Sequence, residues 1–172
     1  MDANLLVTYD YVHKQKAEQE TRALLKEVGE EAKFIDSGVD GVFLLRVDNG
    51  KKVVKQLYCL CKTDPSRFNY TFNWIPIEKW CSSEIGEIGS VMKEFNKKMD
   101  PEKKWKMGVV KRYYDKMKTM DIVMALTKHI EKPKVDLDNP DVIIRVEILG
   151  ERAGCSLLNK DELLNVPGMK RQ

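Results

Sequence analysis

The sequence predicts an α+β protein in two parts: a ferredoxin-like β-α-β-β-α-β domain over residues 1–78, then an α/β domain over residues 79–172. Three observations carry this. Short apolar runs alternate with segments of helical spacing through the first 76 residues, in the order strand, helix, strand, strand, helix, strand. A long, almost continuously apolar segment, Val142 to Leu149, reads as a central strand buried on both faces. With 172 residues, 42% of them hydrophobic, the chain can also build more than one core.

In the first half, Leu5 to Tyr9 is a strand. Ala17, Thr21, Leu24, Leu25 and Val28 then recur at helical spacing until Gly29 stops the helix. Ala32 to Ile35 and Val42 to Val47 are strands on either side of the turn chemistry Asp36-Ser37-Gly38-Val39-Asp40-Gly41. Val53, Val54, Leu57 and Leu60 line a second helix, ended by Asp64-Pro65, and Phe68, Tyr70, Phe72 and Trp74 alternate along a fourth strand up to Pro76. The boundary falls near Pro76 to Cys81.

The second half opens on a helix capped near Ser82 or Ser83, with Glu84 and Glu87 at its positive end and Ile85, Ile88, Met92 and Phe95 on its buried stripe. Trp105 to Val110 is a strand. Ile122, Leu126 and Ile130 share one face of a further helix, which Pro133 closes. Asn139-Pro140-Asp141 turns into the apolar strand, and Cys155 to Leu158 is a last short strand.

The net charge of +3 says little, but its distribution says more. From Lys103 to Lys134 ten basic residues stand against three acidic ones, a net of +7, and the remainder of the chain carries −4. One basic block on an otherwise acidic protein is the footprint of a polyanion binder, although a solvated lysine-rich face would look the same by charge alone. On the strand, Lys104, Lys106 and Gly108 share one face and Trp105, Met107 and Val109 the other, which leaves the cations a solvent side. Lys104, Lys106, Lys111 and Arg112 are the first candidates for phosphate contact, read as sharing a common way out. Lys128, Lys132 and Lys134, near the end of the following helix, are a second set. Trp105 itself is read as core.

Other patterns carry less. The aromatic alternation Phe68, Tyr70, Phe72, Trp74 could stack bases as in an RNA recognition motif, but that module keeps its rings on two central strands, and a period-two aromatic stripe is ordinarily core. Gly86-Glu87-Ile88-Gly89 has the outline of a KH-type Gly-x-x-Gly loop. A carboxylate facing phosphates would oppose that role, and the helical spacing runs straight through it. Small residues there are expected to admit a close neighbour. Cys59 and Cys61, two apart on a helix, point to different faces, and His13 and His129 are isolated, so no metal site is expected. Cys81 and Cys155 read as small buried hydrophobes. Asp136, Asp138 and Asp141 fit turn formation better than a metal cluster. There is no Walker loop, dinucleotide fingerprint or nucleophile elbow, so neither cofactor nor catalysis by this chain is expected. Irregular cysteines, the absence of a basic leader or apolar span, and a self-sufficient core fit a reducing cytoplasm.

Lys134-Val135-Asp136-Leu137-Asp138-Asn139-Pro140, the strand Val142 to Ile148 and Ala153-Gly154-Cys155-Ser156-Leu157 together resemble the THUMP domain of RNA-modification systems, most closely the adaptor type of tRNA cytidine acetylation. Leu5-Leu6-Val7-Thr8 and Leu24 to Glu30 look like the ferredoxin-like domain that accompanies THUMP. The resemblance implies tRNA binding, with the chemistry done by a separate RNA-modifying partner, an acetyltransferase for the adaptor type. Two alternatives stay open at this point: an RNA-independent protein-interaction module, and an accessory subunit of a different tRNA-modification enzyme.

Overall fold

The computed structural model describes residues 2–172, whose strands form two separate sheets. The strands are β1 (Leu5–Tyr9), β2 (Lys33–Ile35), β3 (Val42–Arg46), β4 (Thr71–Pro76), β5 (Lys79–Ser82), β6 (Trp105–Arg112), β7 (Val142–Leu149), β8 (Arg152–Asn159) and β9 (Leu164–Asn165). The helices are α1 (Lys14–Glu27), α2 (Gly50–Thr63), α3 (Ile85–Lys98), α4 (Thr119–Thr127) and α5 (Val166–Lys170). Residues up to Ile77, joined by Asp161–Gln172, make one compact unit, and Glu78–Lys160 make the other.

In the first unit the sheet order is β2-β3-β1-β4-β9, with every neighbouring pair antiparallel. The first four strands have the interleaved order of a ferredoxin-like domain, in which each helix carries the chain past one strand. Ala17, Thr21, Leu24 and Leu25 of α1 and Val53, Val54, Leu57 and Cys61 of α2 bury against Leu5, Val7, Phe43 and Leu45. Asn49 caps α2, its side chain accepting from the Lys52 amide at 3.1 Å. Gly50 has no alternative there, because a Cβ would sit 2.5 Å from the Asn4 carbonyl oxygen.

The aromatic stripe does not stay on one face. Thr8 pairs with Asn73 but Tyr9 with Thr71, so Phe72 is the extra residue of a bulge. Thr71 takes the inward place beside Trp74 and accepts its indole N–H at 3.1 Å. Phe68 and Trp74 are fully buried, which removes both from any stacking role. Where this strand begins, the Glu20 carboxylate accepts the backbone N–H groups of Asn69, Tyr70 and Thr71. The C-terminal segment adds β9 and α5, with Leu164, Val166 and Met169 entering the same core and Asn165 capping α5 through the Gly168 amide.

In the second unit the order is β5-β8-β7-β6, with β6 parallel to β7 and the remaining pairs antiparallel. β7 is flanked on both sides, as its apolar run requires, and β6 is an edge strand. Helices α3 and α4 cover one face, packing Ile88, Met92, Phe95, Ile122 and Leu126 onto Ile144, Val146, Ile148 and Cys155. Gly86 and Gly89 lie within α3, which excludes a backbone-clamping loop. Gly89 instead admits His129, since a Cβ there would stand 2.7 Å from its Nε2. All four cysteines are free thiols. The Cys81 thiol contacts that of Cys155, and this contact together with burial drives the Cys155 thiol far up from its ordinary range.

Candidate nucleic-acid interface

The candidate surface is built on β6. Trp105 is 4% exposed and Met107 and Val109 pack into the helix-covered core, so the odd positions of the strand face inward. Lys106, Gly108, Val110 and Arg112 therefore line the opposite face, at intervals of about 6.6 Å, and Lys104 continues the row at the strand's start. Lys104 is exposed and lies 3.6 Å from Asp136, and among the described residues Lys106 has no ion-pair partner. Arg112 binds the Oε2 of Glu147 at 2.7 Å.

Lys111 does not belong to this row. Its parity is that of Trp105, and its ammonium donates to the Met117 carbonyl at 2.8 Å in a half-buried setting on the helix side. Lys128 follows the last turn of α4, the helix that covers the inward face, so it too stands apart from the row. Lys132 and Lys134 lie beside the start of β6, and Trp105 puts them there. Its indole N–H donates to the Lys132 carbonyl at 3.1 Å, and its backbone N–H to that of Lys134 at 2.9 Å. The Lys134 ammonium is 2.9 Å from Glu102.

The Asn-Pro turn closes the same end of the sheet. The Asp136 carboxylate accepts from the amides of Asn139 and Asp138, and these bonds hold it below the usual aspartate range. Asp141 accepts from the Lys104 amide at 3.0 Å. These acids therefore shape the backbone, and among the described residues no group of three His, Cys, Asp or Glu side chains is placed to hold a metal ion. Between the turn and β6 is a shallow depression of about 290 Å³ that Lys104, Lys106 and Lys160 border. Lys160 follows β8 and escapes a reading confined to the basic block. Tyr113, one residue past Arg112, leaves the strand at φ 56° with its ring exposed. A row of cations, a rim of lysines and an exposed ring is equipment for a phosphate backbone with its sugars and bases.

The class defined so far is a two-unit α+β protein with a cationic sheet edge. Residues 83–158 match the THUMP domain, an RNA-binding domain, and the row from Lys104 to Arg112 lies inside the match. No curated protein matches the sequence. Among solved structures, PH1313 from Pyrococcus horikoshii is similar over 91% of this chain and 55% of its own, with 15% identity and a TM-score of 0.64. TrmN from Thermus thermophilus is similar over 89% and 44%, with 13% identity and a TM-score of 0.57. A predicted N6-adenine-specific DNA methylase from Listeria monocytogenes is similar over 90% and 40%, with 9% identity and a TM-score of 0.57. At such identities the likeness is one of fold, and the chain spans about half the length of these proteins or less. No helix is long and apolar enough to cross a membrane among the described residues.

Proposed function

We propose that this protein binds tRNA through the outer face of β6 and presents it to a separate RNA-modifying enzyme, a cytidine acetyltransferase. The observation that carries the reading is the row Lys104, Lys106 and Arg112 on an edge strand inside the THUMP match. Lys132 and Lys134 extend the positive surface at one end, and Lys128 supplies a more distant charge. Such a surface neutralises phosphates without reading sequence, as expected of a subunit that positions its substrate. The partner's identity rests on the likeness of the Lys134–Pro140 segment and the two strands after it to the acetylation adaptor.

Reconstitution tests this directly. A tRNA cytidine acetyltransferase with tRNA and acetyl-CoA should form acetylcytidine faster when this protein is added, and the gain should fall with reversal of Lys104 and Lys106. No gain would contradict the adaptor role. Acetylcytidine formed by this chain alone with tRNA and acetyl-CoA would make it an enzyme instead.

One observation favours a second reading. Met120 and Met124 are exposed one turn apart on α4, at 67% and 59%, as in a surface that docks protein. A protein-interaction module of this kind would capture its partner equally well after RNase treatment and would show negligible tRNA affinity.

A further inference from the structure

The face of the second sheet turned away from α3 and α4 holds an ion cluster that spans β6 and β7. Gly108 pairs with Arg145 and Val110 with Glu147 in the parallel register, so Arg145, Glu147 and the β6 row share one face. Glu147 is fully buried, and its two oxygens are divided between two arginines: Oε2 takes Arg112 at 2.7 Å and Oε1 takes Arg145 at 2.9 Å. Gly108 leaves the gap in the row over which Arg145 lies, with Arg145 Nη1 3.4 Å from where a Cβ would be.

The charges in this cluster do not cancel. Two guanidinium groups face one carboxylate, leaving a net positive charge. Each arginine gives Glu147 a single N–H, out of the five a guanidinium carries. The arginine side chains are 23% and 19% exposed, so both are partly desolvated yet reachable. Burying a carboxylate is costly, and here each of its two oxygens is met by a separate arginine. With two, the carboxylate holds a pair of like charges in fixed orientation, each with unused donors. Planar forks held this way suit phosphate oxygens.

We infer that Arg112 and Arg145, held by the buried Glu147, form a fixed phosphate-binding pair for the RNA backbone, with Glu147 as its positioning residue. The inference rests on the RNA-binding reading above and deepens it. Lys104, Lys106, Arg145 over Gly108, and Arg112 then make a continuous cationic row along the edge strand, with two ammonium groups at one end and two guanidinium groups held by Glu147 at the other.

The test is tRNA affinity over a salt series for wild type, Glu147→Gln and Arg145→Lys, with unfolding by urea followed in parallel. Glu147→Gln removes a negative charge, so charge alone would give tighter binding. Loss of positioning should instead give binding about tenfold weaker, the range for one charge-assisted contact, and a log–log salt slope shallower by about 0.7. Arg145→Lys keeps the charge and loses the fork, and covers the case in which Glu147→Gln does not fold; it too should bind about tenfold more weakly. Tighter binding by Glu147→Gln, or wild-type affinity in Arg145→Lys, overturns this inference alone. A wild-type protein that binds no tRNA overturns the inference together with the reading beneath it.

Discussion

Replacing Trp105 by Phe isolates the contact that ties the basic edge strand to the loop carrying Lys132 and Lys134. The indole N–H donates to the Lys132 carbonyl at 3.1 Å, and the ring is 4% exposed within the core of the second unit. Losing one such bond costs about 1 kcal/mol net. The surface lost between indole and phenyl, on the order of 40 Å², adds about 1 kcal/mol more. The expected loss is therefore about 2 kcal/mol, read from urea unfolding followed by circular dichroism. A local readout accompanies it: the Asp136 amide, which donates to the Trp105 carbonyl at 3.0 Å, should exchange faster in the variant. Unchanged stability, within about 0.5 kcal/mol, together with unchanged exchange at Asp136 would refute the claim that Trp105 pins this loop.

Two further outcomes are expected. Glu20→Ala should destabilise the first unit by about 2 kcal/mol, because three backbone N–H groups at residues 69–71 lose their acceptor, and Glu20→Gln should recover part of this; urea unfolding within about 0.5 kcal/mol of wild type would contradict it. The Asp136 carboxyl titrates below its usual 3.8, held there by the Asn139 and Asp138 amides. A lowered folded pKa means that the contribution of these bonds is complete above the unfolded value and is lost as pH falls through the folded one. The amide resonances of Asp138 and Asn139 should therefore shift together with a midpoint below 3.8, and a midpoint at or above that value would contradict the assignment.

The sequence made much of the scaffold readable because burial follows period so closely here. The stripe Ala17, Thr21, Leu24, Leu25 buries as its spacing demands, and Val142 to Leu149 is flanked on both sides. Departures have local causes. The bulge at Phe72 breaks an alternation that looked unbroken, since one inserted residue exchanges the faces beyond it. Lys111 follows strict parity onto the helix side, so grouping it with Arg112 by charge ignored the alternation that sorted Lys104 from Trp105. Arg145 and Lys160 lie outside the basic block and reach its face only through strand pairing, which charge counting along the chain does not see. β9 is two residues long and α5 five, too short for a periodic signal. The Asn165-Val166-Pro167-Gly168 run was their one mark, an N-cap followed by a proline in the first turn.

The most direct measurement is filter binding of tRNA over a range of salt concentrations, with wild type, the double reversal Lys104→Glu/Lys106→Glu, and Lys14→Glu/Lys16→Glu as the control. Binding should depend on salt, with a log–log slope of about −0.7 to −0.9 for each phosphate that the protein neutralises. The slope should become shallower by about 1.4 to 1.8 in the β6 double variant, in which two phosphates go without a cation, and stay near wild type in the control. Binding that ignores salt, or equal losses of affinity in the two double variants, would contradict the claim that the outer face of β6 holds the RNA.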